Sequence, residues 1–445
     1  MSDYLYKGGS GAVTYTDMRD FYVTPNMVKE LFPSEAPFLT FMANYPKKLT
    51  PPDPQFKMFE YRAPWVRQYI YVSTGATVSK NNTGVTIAIT PTNSTGVEST
   101  FTSAVVGYKC RVYASDGKAT PKPLLPSLGT VVVTVFNSAT SIDVKCSSRA
   151  AVTIPTPAFL EVMSQESAEG ASSPESFETQ PKVVFNQCGI TRTSFEITNV
   201  KKRAKMRGWS NYYAERYKQT MQMHKIHNEK DLMFSANPMG TNSDGAGTDT
   251  FADGTLTDAD GKVMRPTYGI ISIIEDYGIS DETNEDCNIF TVPTAAYGYD
   301  QFVDQSEKAF LYSSDKDEPL FCGYGYMGIW SKMAGGGAFA AKSKWTTAIV
   351  MGQLEKGKLG FNVRTLETPN GIYRMIPVPS LQRSPYNNAA FAPAKEDVFM
   401  VEYEPDHYYQ NIKTDNNPLL QKNEFVTERG IGMTNLPMHK MWIAK

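Results

Sequence analysis

Two alternating runs decide the fold: Gln55-Phe-Lys-Met-Phe-Glu-Tyr-Arg-Ala-Pro-Trp-Val-Arg-Gln68 and, far downstream, Val183-Val-Phe-Asn-Gln-Cys-Gly-Ile190. Two sets of side chains alternate along the first run: Phe56, Met58 and Glu60 on one face, and Lys57, Phe59 and Tyr61 on the other. A period of two residues predicts a β-strand, and aromatic residues on both faces predict burial or contact on both sides. The second run continues in alternation to Val200. Together they enclose residues 72–165, so the chain leaves and re-enters one body around a projecting block, and projecting segments commonly contact other subunits.

The enclosed block is rich in Thr, Ser, Val and Gly. Four β-rich runs stand in it, at residues 84–90, 108–113, 130–136 and 142–146. Asn, Ser, Gly and Pro separate these runs, which is typical of a small all-β barrel or sandwich. A polar return segment, residues 164–182, follows the last of them.

A long helix is predicted over residues 208–235, after the second run. Trp209, Tyr213, Tyr217 and Met221 recur every four residues, and Ser210 can cap the start. At 1.5 Å per residue the helix would be roughly 40 Å long.

Residues 1–54 form an arm interrupted by prolines, with one short helix predicted at 26–31. Its apolar side chains, Phe38 and Phe41 among them, need a surface to lie on, either their own domain or a neighbour's.

Downstream, residues 267–277 predict a helix or a strand, and 298–313 predict a helix. Residues 360–368 and 371–378 predict paired strands around Asn370-Gly371, a strong turn signal. Another strand is predicted at 397–403. The last segment, 424–445, alternates and ends with Met441-Trp-Ile443, so we expect the C-terminus to be packed on the body.

The composition of the chain argues against several classes of function. The chain has 445 residues, 41% hydrophobic and 20% charged, and a formal charge of -2, so no overall basic field attracts nucleic acid. A local cluster (Lys201, Lys202, Arg203, Lys205 and Arg207) is interpreted as a solvated helix start or a linker in preference to a nucleic-acid site. The sequence has no run of eighteen or more apolar residues, so no membrane-spanning helix is predicted. The N-terminus lacks the pattern of a secretory signal.

The five cysteines are far apart in sequence and include no CxxC pair, which favours free thiols in a reducing compartment. Cys110 and Cys146 could meet across strands of the β-rich block, and the sequence leaves that alternative open.

Candidate chemical motifs fall short of an active site. Residues 323–328 have the pattern GxGxxG before a possible helix at 329–334. A dinucleotide site would need a longer strand before this pattern and an acidic residue near position 348, and both are missing. A tightly packed, Tyr-rich turn is therefore favoured over a dinucleotide site. His224 and His227 share a helix face without HExxH or further ligands. The acidic loop with Asp253, Asp258 and Asp260 fails the EF-hand pattern. No phosphate loop or nucleophile elbow exists. We therefore predict no catalytic residue, no cofactor and no metal, and no enzyme.

The order of these parts resembles the major capsid proteins of tailed bacteriophages, with the Hong Kong 97 fold. Residues 54–60 look like the start of the extended loop in capsid families without a scaffolding prodomain. Residues 365–374 look like their late hairpin, and 397–403 like a returning strand. The resemblance is one of architecture and covers nearly the whole chain.

The resemblance implies an α+β, Hong Kong 97-like capsid fold with an inserted small all-β domain. The expected division has six parts: an N-terminal arm at 1–54; an extended loop at 55–71 and 183–200; the inserted β domain at 72–165; the spine helix and peripheral domain at 201–315; the axial domain at 316–395; and a return to the peripheral domain at 396–445. The spine helix would be residues 209–235.

The implied function is a structural one. Many copies would assemble as hexamers and pentamers into an icosahedral shell around double-stranded phage DNA. The candidate subunit-interface residues are Phe38, Phe41, Phe56, Phe59, Tyr61 and Trp65. Specific interfaces of this kind exceed ~1,000 Å².

Expected partners are the chain itself, a portal and, as further candidates, scaffolding, auxiliary or decoration capsid proteins. Non-specific contacts with packaged double-stranded DNA are also expected, and no membrane is. The expected location is the virion capsid, after synthesis and assembly in the cytoplasm of the host bacterium. The alternatives are another phage structural protein, of the tail or baseplate, and, less favoured, an enzyme using residues 323–328.

Overall fold

The computed structural model describes these residues: 36–44, 47–60, 69–80, 84–90, 106–115, 123–138, 140–167, 169–170, 182–203, 211–236, 258–262, 264–278, 280, 287–292, 297, 299–311, 313, 316–334, 355–356, 362–368, 370–382, 385–412 and 419–444. The chain divides into two compact units. The smaller unit contains Ile190–Asn228 and Glu404–Glu428. The larger unit contains Ala36–Gly189, Glu229–Tyr403 and Arg429–Lys445.

Strands and helices both contribute to the fold. The strands are β1 (Lys47–Leu49), β2 (Gln55–Glu60), β3 (Tyr69–Thr74), β4 (Thr77–Val78), β5 (Val85–Thr90), β6 (Tyr108–Ser115), β7 (Pro123–Ser138), β8 (Ser141–Cys146), β9 (Val152–Thr153), β10 (Ala158–Gln165), β11 (Lys182–Gln187), β12 (Gly189–Thr198), β13 (Ile289–Val292), β14 (Asp317–Cys322), β15 (Glu355–Lys356), β16 (Asn362–Thr368), β17 (Gly371–Pro377), β18 (Ala390–Ala392), β19 (Val398–Ile412), β20 (Leu420–Met433) and β21 (Lys440–Ala444). The α-helices are α1 (Pro37–Asn44), α2 (Asn199–Arg203), α3 (Tyr212–Phe234), α4 (Ile270–Tyr277), α5 (Tyr299–Ala309) and α6 (Tyr324–Ala334). Short 3-10 turns occupy Pro379–Leu381, Pro385–Asn388 and Leu436–Met438.

A closed barrel of six strands, in the order β10-β3-β5-β8-β7-β6, belongs to the larger unit. Its interior is filled by alternate apolar side chains from every strand, because successive residues of a strand point to opposite faces. These interior residues are Ile70, Val72, Ile87, Ile89, Cys110, Val112, Val131, Val133, Ile142, Val144, Ala158 and Leu160. Closure leaves no free sheet edge. The barrel strands span Tyr69–Gln165, close to the β-rich block of the sequence.

The five cysteines are free thiols, as the sequence predicts. Cys110 on β6 and Cys146 on β8 both pair with Val131, on opposite sides of β7. Two strand spacings separate their backbones by roughly 9–10 Å, which is beyond the ~7 Å limit for a disulfide. The alternative of a bond between these two cysteines is therefore wrong for this structure.

The arm predicted over residues 1–54 contains a helix, α1, that the sequence analysis did not foresee. Phe38 and Phe41 on α1 are buried in the core of the larger unit, each packing edge-on against Phe321 at 5.2 and 5.1 Å between ring centroids. Phe38 also meets Phe391 at 5.6 Å. Pro37 stands at the first helical position, where its fixed φ favours a helix start. The short helix predicted at 26–31 lies outside the described residues.

A mixed sheet of seven strands, in the order β13-β21-β18-β14-β17-β16-β15, forms the other major layer of the larger unit. The β16–β17 hairpin around Asn370-Gly371 confirms the predicted strand pair, and α5 confirms the helix predicted at 298–313. The strand β14 pairs in parallel with β17, and β13 pairs in parallel with β21. Strands from residues assigned to 201–315, 316–395 and 396–445 thus share one sheet, so those boundaries do not separate its strands.

The smaller unit packs the first part of α3 on strands from a sheet ordered β1-β19-β20-β12. Three aromatic side chains carry this packing. Tyr217 meets Tyr408 and Phe425 at 5.0 and 5.2 Å between ring centroids. The observed helix, Tyr212–Phe234, confirms the long helix predicted at 208–235 with slightly shorter bounds.

Candidate subunit interface

The two alternating runs pair with each other as an antiparallel ribbon. Residue by residue, Met58 on β2 lies opposite Val184 on β11, and Phe59 lies opposite Val183. Met58 and Val184 are buried, with 5% and 1% of their surface exposed. Phe59 is 62% exposed. The ribbon therefore has one face in the core of the larger unit and one face open. The predicted strand is confirmed, and the burial or contact predicted for both of its sides is found on one side within the chain, so contact on the other side stays a prediction.

Polar side chains fix the inner face of the ribbon to the core. Buried Glu60 accepts a hydrogen bond from the Leu436 amide at 3.1 Å. The Asn186 side-chain amide donates to the Tyr268 and Ile431 carbonyls at 3.1 and 2.6 Å. Its oxygen accepts from the Tyr268 amide at 2.8 Å. Buried polar groups with complete hydrogen bonding specify a single arrangement, so the ribbon has a rigid base.

The open face of the ribbon, which we call the outer ribbon face, consists of Lys57, Phe59, Val183 and Phe185. Lys57 lies opposite Phe185 in the register, and its ammonium is 5.0 Å from the Phe185 ring centroid. The cation thereby covers one ring, while Phe59 and Val183 leave an adjacent apolar pair accessible. Aromatic side chains are enriched at the centres of interfaces.

The six predicted interface residues have different positions. Phe38 and Phe41 are buried in the chain's own core, which leaves almost none of their surface exposed in the single chain, and their role at a subunit interface stays a prediction. Phe56 is half-buried and packs against the same core. Phe59 is exposed on the outer ribbon face. Tyr61 and Trp65 lie outside the described residues.

Two members of the outer ribbon face, Val183 and Phe185, were not among the predicted interface residues. The signal was present in the alternation Val183-Val-Phe-Asn-Gln187, because two alternating runs on either side of a self-contained barrel can pair directly.

The GxGxxG stretch is the start of helix α6, which begins at Tyr324, so the expectation of a turn is wrong. The preceding strand, β14, has six residues and is buried, which the sequence analysis judged too short. The space a phosphate would need is nevertheless filled. A Cβ at Gly323 would lie 2.1 Å from the Asn387 carbonyl oxygen, and one at Gly325 1.9 Å from Asn388 Oδ1. The Gly325 amide donates to Asn387 Oδ1 at 3.2 Å, so the helix start is capped from within the chain.

His224 has a structural setting in the smaller unit. Its Nδ1 lies 3.0 Å from Thr193 Oγ1 and its Nε2 lies 2.8 Å from Thr427 Oγ1, which in turn donates to Asp406 at 2.9 Å. His227 is exposed on the same helix. Among the described residues, no group of three or more His, Cys, Asp or Glu side chains could hold a metal ion. Asp253 lies outside the described residues, and Asp258 accepts hydrogen bonds from the backbone of its own loop.

A protein family described as SU10 major capsid protein matches residues 24–435 of the sequence. The chain belongs to the SU10 major capsid protein family. It is therefore a phage major capsid protein, a subunit of the icosahedral shell of the head, and the resemblance seen in the sequence is confirmed. Membership also confirms the Hong Kong 97-like fold class, with the α+β elements described above.

Solved structures similar to this major capsid protein include two capsids and a chain of a Microbacterium phage. The capsid of the native GTA particle has 8% identity and a TM-score of 0.39, covering 99% of this chain and 100% of the other. A chain of Microbacterium phage Oxtober96 has 6% identity and a TM-score of 0.40, covering 97% and 98%. The capsid of Myoviridae phage XM1 has 8% identity and a TM-score of 0.38, covering 63% and 81%. No curated protein sequence matches the chain. No helix in the described part of the chain is long and apolar enough to cross a membrane.

Proposed function

We propose that the outer ribbon face is a principal contact between subunits when this capsid protein assembles as hexamers and pentamers. The observation that carries the proposal is Phe59, a large apolar side chain that is 62% exposed on a ribbon whose opposite face is fixed in the core. Contiguous exposed apolar patches mark interaction sites. Val183, directly across the ribbon, extends the apolar area.

The expected contribution of this contact is moderate and local. Burying a Phe side chain fully is worth roughly 1.5–3 kcal/mol relative to exposure. A stable interface buries more than ~1,000 Å², so other surfaces must contribute around this centre. Repetition over a closed shell multiplies a modest difference per subunit, because each subunit forms the contact with a neighbour.

Neighbouring positions on β2 supply a matched test. Phe59→Ala removes the exposed ring and should leave a folded, soluble subunit with an unchanged melting temperature that fails to form closed shells in negative-stain electron microscopy. Met58→Ala removes the buried neighbour and should lower the melting temperature, since such core truncations cost about 2–5 kcal/mol. Closed shells of normal yield from Phe59→Ala would refute the role of the outer ribbon face.

The six-part division made from the sequence gives each segment a proposed place in the shell. In it the barrel is an inserted domain that faces outward or bridges neighbouring capsomers. Tyr69 on β3 lies opposite Glu161 on β10, so the barrel ends are close and a short linker can replace residues 69–165. We expect that deletion to alter shell assembly or stability, measured by particle yield and by heating of purified shells. Unchanged assembly and stability would refute a structural role for the barrel.

The remaining partners are proposed with the shell itself. The proposal includes packaged double-stranded DNA, a portal, and scaffolding, auxiliary or decoration proteins as further candidate partners. Assembly would take place in the host bacterial cytoplasm. The role is structural and not enzymatic: the glycine-rich helix start, which resembles a nucleotide motif, is filled by Asn387 and Asn388. Equilibrium dialysis with a radiolabelled nucleotide should detect no retention, and retention lost on Gly325→Val would restore the enzyme alternative.

A further inference from the structure

Strand β7 departs from the regular ladder of the barrel over one short stretch. Val112 on β6 lies opposite Gly129, and Ala114, the second residue after it, lies opposite Leu124. One residue of β6 therefore faces residues 125–128 of β7, and these extra residues form a wide β-bulge on the barrel. We call residues 124–128 the β7 bulge.

The β7 bulge exposes three leucines that are close together in the chain. Leu124, Leu125 and Leu128 are 46%, 83% and 44% exposed. No residue of the bulge carries a charge. Single exposed apolar side chains are common on protein surfaces, whereas contiguous apolar patches mark interaction sites. The three leucines together therefore mark the bulge as a contact surface.

The base of the β7 bulge is fixed to the barrel. Gly129 follows the bulge with a φ of +145°, and a Cβ there would lie 2.5 Å from Val152 Cγ2. The Thr130 amide then donates a hydrogen bond to Ser148 Oγ at 2.6 Å. Within the bulge, the ring of Pro126 restricts φ. A segment held in this way loses little conformational entropy when it binds, so its leucines are preorganised for a contact.

The size of the patch indicates which kind of partner covers it. A leucine side chain presents on the order of 100 Å² of apolar surface, so the three partly exposed leucines present on the order of 200 Å². A stable interface between two free proteins takes about 800 Å² from each partner. The bulge is therefore too small to capture a free protein by itself.

Such a patch suits a partner that other contacts already hold beside it, because a tethered partner has a high effective concentration. In the shell that a major capsid protein forms, neighbouring copies of the chain are held in this way. The area of the bulge therefore favours a second copy of the chain over a separate protein.

We propose that the β7 bulge packs against a neighbouring copy of the chain in the assembled shell; this rests on the proposed role of the barrel as a bridge between subunits. The surface that it contacts is apolar and uncharged, because a charged group buried against the leucines would lose its hydration without gaining a partner. Thr130 and exposed Arg111, which lie opposite each other beside the bulge, supply the polar rim of the contact.

Thiol labelling at the β7 bulge tests the contact. Leu125→Cys replaces the most exposed leucine by a group that a maleimide reagent modifies. Soluble subunits and closed shells assembled from the purified full-length chain alone are labelled for equal times. Peptide mass spectrometry then distinguishes the new thiol from the five native ones. The matched control is Asn137→Cys, at an exposed position near the other end of β7.

We expect the Leu125→Cys thiol to react ~10-fold or more slowly in shells than in subunits, because a thiol buried in an apolar contact is inert. The control thiol should react at similar rates in both. Equal reaction of Leu125→Cys in subunits and shells would overturn the proposal, as would equal protection of the control. Complete phage heads that protect Leu125→Cys, when shells of the chain alone do not, would overturn it in favour of a separate protein.

A second variant covers the case in which Leu125→Cys prevents the shell from closing. Ser127→Cys lies in the same bulge and keeps all three leucines, so its protection in shells reports on the same contact. Deletion of residues 69–165 tests the role of the barrel separately. Altered shells on deletion, with Leu125→Cys unprotected, would support that role and refute this contact. Unaltered shells on deletion, with Leu125→Cys protected, would support the contact and refute the structural role of the barrel.

Discussion

Lys440 and Glu318 form an ion pair in the centre of the seven-stranded sheet, and breaking it should be among the most damaging single changes in the chain. Their side chains are 1% and 2% exposed. Lys440 also lies 4.8 Å from the Phe310 ring centroid, and the Ser313 hydroxyl donates to the same Glu318 oxygen at 2.5 Å. The perturbation is Lys440→Met, which keeps the length of the side chain and removes its charge.

The loss of stability depends on the partners that Glu318 keeps after the substitution. After Lys440→Met, Glu318 retains the Ser313 hydroxyl but loses its cation in a region closed to water. Removing one partner of a buried pair costs about 3–5 kcal/mol, because the remaining charge is uncompensated. The double variant Lys440→Met with Glu318→Leu replaces both charges by apolar groups and should recover most of that loss, since such replacements are often neutral or stabilising by about 1–4 kcal/mol.

Urea unfolding of the soluble subunit, followed by tryptophan fluorescence, measures both variants. Trp330 and Trp442 are buried in the same core cluster as Phe310, so the signal reports on this region. The expected order of stability is wild type near the double variant, with Lys440→Met well below both. A loss under about 1 kcal/mol for Lys440→Met would refute the reasoning, because it would mean that water reaches the pair.

Three further predictions concern glycine packing, histidine titration and thiol reactivity. Gly323→Ala should destabilise the subunit by ~1–3 kcal/mol or more, because a Cβ would lie 2.1 Å from a backbone oxygen. Gly328→Ala should stabilise α6 by roughly 0.5–1 kcal/mol, because nothing lies within 4 Å of the added Cβ. Thermal melts compare the two variants. Burial lowers the pKa of His439 from 6.5 to about 4, so on acidification the unfolded chain takes up the proton before the folded chain does. The free energy of unfolding should therefore fall by about 3 kcal/mol from pH 7 to pH 4. Urea titrations at each pH measure this loss, which should be smaller in His439→Gln. Burial raises the pKa of Cys110 to about 12, so a thiol reagent at pH 8 should label half-buried Cys146 in the folded subunit and leave Cys110 unlabelled, as peptide mass spectrometry would show; equal labelling would contradict the barrel interior.

The His439 prediction has a structural basis in both ring nitrogens. Nδ1 accepts the Ala394 amide at 3.1 Å, and Nε2 lies 2.9 Å from the Thr434 carbonyl. The neutral tautomer with its proton on Nε2 satisfies both contacts. A second proton on Nδ1 would face an N–H donor, so the charged ring fits the folded state poorly.

Local sequence patterns predicted the strands, hairpin and helix that are specified by residues close together in the sequence. Alternation of side chains predicted β2, and Asn370-Gly371 predicted the β16–β17 hairpin. Short β-rich runs predicted four of the barrel strands. In each case the two-residue period or the turn chemistry is specified by a few adjacent residues. The long helix followed from its four-residue period in the same way.

Long-range pairing was not visible in the same patterns. The parallel pairs β14–β17 and β13–β21 join residues that are 55 and 152 positions apart, as the registers Asp317 with Ile372 and Ile289 with Met441 show. Nothing local specifies such partners, so the domain boundaries drawn from sequence cut through one sheet. Phe38 and Phe41 illustrate the same limit: an apolar run predicts burial but not whether the chain or its neighbour provides the surface.

The most direct test of the central claim is a cryo-electron microscopy map of assembled particles. The account predicts a closed icosahedral shell in which the Phe59 ring lies within about 4.5 Å of apolar atoms from a neighbouring subunit, the distance of a van der Waals contact. A closed shell in which the outer ribbon face is open to solvent, with Phe59 far from any neighbour, would contradict it.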